Sequence, residues 1–263
     1  TAAIFMCVGN YQLELISGYI GMEHNDVAFG FYVLASIWAY AEYTVSKKFK
    51  YVMLIGLFAG CAVLVKWLAG MLVFGGWFFN LLYQLKKRSA GNGVKHFFIA
   101  LGIAVAVFLP WQLHILHTFP VEAAHEYAYN TLHIFQVVEN HGGDNYFYID
   151  AFRQYFGLIV WCLAIGGIIV LAFSKTEQRA IQFHIIFSAL VVFSFYTYVA
   201  ATKMQSYVYM IGPLGFIFMA YGICRYLSEN ISKYALYLII YLVSVDLLNH
   251  ISIDGFFHRP DDP

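Results

Sequence analysis

The chain has 263 residues, 61% hydrophobic and 11% charged, with no formal net charge and a mean hydropathy of +0.68. Soluble domains carry about 25% charged residues, so this composition excludes an ordinary soluble protein and describes an integral membrane protein. A neutral chain has no general attraction to nucleic acid, and none is expected as a partner.

Crossing the hydrocarbon core takes roughly 20 helical residues. By that measure the apolar runs predict spans at Thr1–Ile16, Val27–Val45, Tyr51–Val65, Leu68–Leu85, Phe97–Leu116, Tyr155–Phe173, Ile181–Ala200, Tyr207–Tyr226 and Tyr234–His250. The expected fold is therefore all-α: a polytopic bundle of about nine spans forming one transmembrane domain over 1–263. Its outer loops are expected at 17–26, 110–150 and 201–206. The chain begins at Thr1 in apolar sequence without a signal-peptide layout, which reads as part of a longer protein.

Loop charge sets the orientation. Lys47, Lys48 and Lys50, then Lys86, Lys87, Arg88 and Lys95, then Lys175 and Arg179, then Arg225 and Lys233 fall in alternate loops. The positive-inside rule makes those loops cytoplasmic. The opposite loops carry most of the carboxylates, among them Glu23, Asp26, Glu122, Glu126, Glu139, Asp144 and Asp150, with Lys66, Arg153, Lys203 and Arg259 as the basic residues on that side. Side-chain chemistry is expected at this outer face. The cytoplasmic loops are short and hold no glycine-rich phosphate cradle, which argues against ATP-driven work there.

Within the long outer loop, Val121, Ala124, Ala128, Leu132, Phe135 and Val138 fall at helical spacing on one side, with Glu122, His125, Glu126, Tyr129, His133 and Gln136 on the other. That pattern predicts an amphipathic helix lying in the membrane surface.

Glu23 and Asp26 stand three residues apart at the mouth of the second span, where carboxylates can accept a proton or hold a metal or an amine. The plainer reading makes Asp26 the N-cap of the helix opening at Val27. Lys66 follows a fully apolar run, where a lysine either snorkels or finds an anion. Lys203 and Tyr207 would lie one helical turn apart and converge on one anion. Arg153 suits bidentate phosphate contact, against the simpler pairing with Asp150. The histidines near the outer face, His24 included, raise a divalent-metal hypothesis, although no close-spaced ligand signature connects them. Cys7, Cys61, Cys162 and Cys224 are widely spaced in apolar runs and read as small buried hydrophobes.

Several of these pieces occur together in one order: Asp26 shortly before a span, Gly60 leading an apolar run to Lys66, Pro110-Trp111 opening an outer helical loop, and Lys203, Tyr207 and Pro213 in one segment. In that order the chain resembles the GT-C integral-membrane glycosyltransferases, in the branch of protein O-mannosyltransferases and the lipid A aminoarabinose transferase. The resemblance implies a GT-C-like architecture in the bacterial inner membrane. It further implies a polyprenyl-phosphate sugar donor and transfer to a lipid, protein or glycan acceptor at the periplasmic face. By position, Asp26 (with Glu23 beside it) would serve the catalytic site. Lys66, Lys203, Tyr207 and Arg153 would serve the donor phosphate, and no cofactor beyond a divalent metal is suggested. The family's principal catalytic Asp lies in the first outer loop, and no residue here fills that place; the expectation is that this loop precedes Thr1. Two other readings compete: a transporter or flippase of a lipid-linked or anionic solute, and a catalytically silent subunit of a membrane complex.

Overall fold

The computed structural model describes residues 24–87, 91–174 and 179–223, with scattered positions between 234 and 245. The first expected span, Glu23, Cys7, Cys224 and most of the ninth expected span lie outside the described residues. Everything regular among the described residues is helical, with no strand. In chain order these are α1 (His24–Ser46), α2 (Phe49–Lys66), a 3-10 segment (Trp67–Leu72), α3 (Val73–Lys86), α4 (Gly93–Thr118) and α5 (Pro120–Phe135). They continue with α6 (Phe147–Phe173), α7 (Arg179–Ser194), a π turn (Phe195–Val199), a second 3-10 segment (Gln205–Ile211) and α8 (Gly212–Tyr221).

Three helical stretches are long and apolar enough to cross a membrane: Phe49–Lys86, Gly93–Thr118 and Arg179–Val199. The bent pair Phe147–Arg153 and Gly157–Phe173 makes a fourth if counted as one span. α1 has the length, at 23 residues, but its tyrosines, Ser36 and Glu42 dilute its apolar character and it is not among the three. The protein is thus an all-helical membrane protein with three to four span-capable stretches among its described residues.

The chain divides into two compact units, Asn25–Phe147 with Lys175–Ile211, and Thr1–His24 with Tyr148–Ser174 and Gly212–Pro263. In the first, α2 packs on α4 and α3 on α7. Without a hydrophobic drive between helices in lipid, small residues that let backbones approach carry such packing. Gly56 and Gly60, one turn apart on α2, do this: a Cβ added there would stand 2.4 Å from the Ala100 carbonyl oxygen and 2.7 Å from that of Ala104. Gly76 does the same for α3, where a Cβ would come within 2.5 Å of the His184 carbonyl oxygen. The buried cluster built on these contacts includes Tyr40, Tyr43, Trp77, Leu81, Ala100 and Ala104. Several polar groups in and beside it are paired within the protein. Tyr43 hydroxyl and His96 Nδ1 are 2.7 Å apart, Ser36 donates to the Ile55 carbonyl at 3.2 Å, and Asn80 donates to the Tyr40 hydroxyl.

In the second unit α6 bends by 113° at Gly157, whose φ of 75° is open to glycine at little steric cost. Beyond the bend, Gly167 approaches α8 so closely that a Cβ would lie 1.9 Å from the Phe218 carbonyl oxygen. Cys162 on α6 is exposed and Cys61 on α2 is half-buried, so neither is the fully buried hydrophobe expected of it.

The segment 110–150, expected as an outer loop, is mostly helix. Pro110-Trp111 does not open it, because α4 runs on through Pro110 to Thr118.

Candidate functional site

Asp26 lies in the first turn of α1, inside the helix that begins at His24. It is therefore not the N-cap, although the helix N-terminus still favours its negative charge. Its carboxylate is buried and forms an ion pair with the ammonium of Lys66, the last residue of α2. The partners are unequally covered, with side-chain exposures of 4% for Asp26 and 29% for Lys66. The lysine that needed an anion has found a protein carboxylate, and part of its side chain still reaches open space.

Immediately after Lys66 the chain doubles back. Trp67 has φ 58° and ψ −157°, a conformation that costs of order 1–3 kcal/mol for a residue with a side chain and persists only when its surroundings over-determine it. Those surroundings are visible. Gly70 folds against α2 so tightly that a Cβ would stand 2.7 Å from the Val63 nitrogen; a continuing helix would separate those residues by about 10 Å. The Trp67 ring lies 5.0 Å from the Tyr127 ring of α5. The expected break between the third and fourth spans falls at this turn, so the stretch Phe49–Lys86 is two helices meeting at Trp67 rather than one straight helix.

The turn forms one wall of a cavity of about 710 Å³. Lys66, Trp67, Leu68 and Leu72 line it from the turn, Asn130, His133 and Ile134 from α5, Phe195 and Tyr196 from the π turn, and Tyr207 and Met210 from the second 3-10 segment. The rings of Tyr196 and Tyr207 are 4.9 Å apart. Lys66 and Tyr207, both expected at the donor phosphate, thus share one cavity.

Lys203 does not join them. It sits outside any helix, is 6% exposed, and its ammonium donates to the carbonyls of Asp144 at 2.8 Å and Thr197 at 2.9 Å. A buried ammonium needs acceptors, and here the backbone supplies them. The same segment closes the end of α5, whose last carbonyls lack intrahelical donors. Ala201 N–H donates to the Ile134 carbonyl and Thr202 N–H to that of His133, each at 3.0 Å. Thr202 Oγ1 accepts from Val138 N–H at 3.0 Å and donates to the Gln136 carbonyl at 2.8 Å. Lys203 fixes the cavity wall instead of reaching a ligand through its charge.

The helix α5 is amphipathic as its spacing predicts. The side that meets the protein is Ala123, Tyr127 and Ile134, while Val121, Leu132 and Phe135 of the apolar stripe are exposed. The stripe is left uncovered by the described residues. On the polar side the Tyr129 phenol donates to the Glu139 carboxylate. That bond, together with the carboxylate's charge, holds the phenol above its ordinary pKa.

Arg153 is exposed on α6 in the other unit and makes no ion pair with Asp150. The side chains of Glu23 and His24 are outside the described residues. Among the described residues no three His, Cys, Asp or Glu side chains are placed to hold a metal ion. Sequence reasoning named Asp26 and Lys66 separately and missed their pairing, although two costly charges of opposite sign in apolar surroundings were the available signal. It also missed Trp67 and Tyr196, whose importance lies in backbone geometry and ring packing.

Comparison of the chain with protein-family models, curated proteins and solved structures returns no match.

Proposed function

We propose that the cavity at Lys66 and Tyr207 receives the phosphate of a polyprenyl-phosphate sugar, and that the protein is a lipid-linked-sugar-dependent glycosyltransferase of GT-C-like architecture. The observation that carries this reading is the partly exposed arrangement of Lys66: an ammonium anchored by a buried carboxylate, with its open side on a cavity of mostly apolar and aromatic walls. Such a cation is preorganised for the charge that grows on a departing phosphate, and low-dielectric walls strengthen its effect. Tyr207 adds a hydroxyl donor. Leu68, Leu72, Ile134 and Met210 offer apolar surface to an isoprenoid chain.

Asp26 takes a positioning part. Its carboxylate is engaged by the Lys66 ammonium and does not line the cavity, so Asp26 fixes Lys66 rather than meeting an acceptor. The finer elements of the proposal come from the sequence: about nine crossings, an outer (periplasmic) location for the cavity in a bacterial inner membrane, and a lipid, protein or glycan acceptor. The alternation of Lys and Arg between loops supports the orientation.

The test is transfer of labelled sugar from a polyprenyl-phosphate donor by the protein in its full natural length. Lys66→Met is expected to lower turnover by at least 10²-fold, and Tyr207→Phe by about tenfold. Donor binding without any transfer would reject the enzyme reading in favour of a silent subunit or a carrier.

A further inference from the structure

A second groove lies beside the first and has the opposite electrostatic character. It measures about 480 Å³ and is lined by the aromatic rings of Trp67, Trp111, Phe119 and Tyr127, with Glu122 and Glu126 among its edges. Trp67 and Asn130 line both spaces. Among the described residues, the cavity holding Lys66 has no carboxylate on its lining, and this groove has no Lys or Arg.

The aromatic surface is built rather than incidental. Tyr127 hydroxyl donates to Gln112 Oε1 at 2.6 Å, which fixes its ring against α4, and the Trp67 ring packs 5.0 Å away. Trp67 is held at positive φ, so backbone strain is maintained where its ring separates the two spaces. Glu122 and Glu126 are four residues apart on α5 and therefore share a helix face. Both are exposed, and His125 Nδ1 stands 3.9 Å from Glu126 Oε1.

Aromatic faces carry negative quadrupole charge, and an organic cation over them gains most when it is also partly desolvated. Carboxylates at the rim add an attraction that a neutral ligand does not feel. We infer that this groove binds an organic ammonium group, with the rings of Trp67, Trp111 and Tyr127 receiving its alkyl face and Glu122 and Glu126 balancing its charge. This site stands on its own geometry and does not depend on the transfer reading. The ammonium chemistry has two sources at a membrane surface, a soluble amine and a lipid headgroup.

The experiment uses the full chain in non-ionic detergent, with choline as the cationic probe and glucose as a neutral polyol, read by saturation-transfer NMR. Choline is expected to bind and glucose not to. The double variant Glu122→Gln/Glu126→Gln and the single variant Trp111→Ala are each expected to weaken choline binding at least tenfold. Retention of the wild-type melting temperature shows that the variants are folded, as exposed positions should allow. Failure of choline to bind, equal binding by the double carboxylate variant, or glucose binding as well as choline would each overturn the inference. Repeating the titration in nanodiscs separates the sources: displacement of choline by phosphatidylcholine, but not by phosphatidylglycerol, assigns the groove to a lipid headgroup, and persistence in both assigns it to a soluble amine.

Discussion

A buried carboxylate and a lysine at the end of an apolar run are each unfavourable alone, and the Asp26–Lys66 pair removes both penalties together. The unequal exposure of the partners makes a specific prediction. Lys66→Met leaves the buried Asp26 carboxylate without its ammonium and should cost about 2–3 kcal/mol. Asp26→Asn leaves a lysine that can turn toward the open cavity and should cost only about 1 kcal/mol. The double variant should recover part of the loss, and chemical unfolding of all three in detergent completes the cycle. At this scale the sequence was informative about which groups matter and silent about who meets whom. Lys66 stood out because charge among aliphatic residues is costly. Lys203 stood out as the basic residue one helical turn from Tyr207, yet its partners are backbone carbonyls of Asp144 and Thr197, which no side-chain pattern announces. Thr202 shows the same limit. Its hydroxyl bridges Val138 and Gln136, and Thr202→Val should lower stability by about 1–2 kcal/mol, with faster hydrogen exchange at the Val138 amide as the local signature.

Between elements, contact depends on where side chains are absent. Gly56 and Gly60 bring α2 onto α4, whereas Gly102 on α4 has open space beside it. Alanine at Gly56 or Gly60 should therefore destabilise by about 1–3 kcal/mol through backbone clash. Alanine at Gly102 should be neutral or stabilising, through the higher helix propensity of alanine. Comparing their unfolding midpoints in mixed detergent checks the contrast. The helices themselves were legible: the expected Val27–Val45, Phe97–Leu116 and Val121–Val138 segments fall largely within α1, α4 and α5. Periodicity and apolar length are local properties, so they survive in sequence. The apolar run carried α4 to Leu116, close to its end at Thr118, whereas the loop expected to open at Pro110-Trp111 does not begin there. The break at Lys66-Trp67 was legible from the apolar runs on either side, but its conformation was not. It requires a positive φ at a tryptophan, and only packing by Gly70 and Tyr127 makes that conformation tolerable.

Across the whole molecule, apolar surface faces outward in quantity, as at Phe31, Phe98, Leu113 and Phe173. Such a surface suits lipid and would be an aggregation hazard in water. The loop charges then argue for an orientation that can be measured. A cysteine placed at Asn140, in a background without native cysteines, should react with an impermeant maleimide added to the outer face. One placed at Lys48 should react only after the membrane is opened. The reverse pattern would put the Lys66 cavity on the cytoplasmic side and remove the topological basis for a lipid-linked donor. The most direct measurement is photocrosslinking with a photoreactive polyprenyl phosphate followed by peptide mapping. The account predicts adducts within Lys66–Leu72, Asn130–Ile134 and Tyr207–Met210, abolished by Lys66→Met. Adducts confined to other segments, or undiminished in that variant, would contradict it.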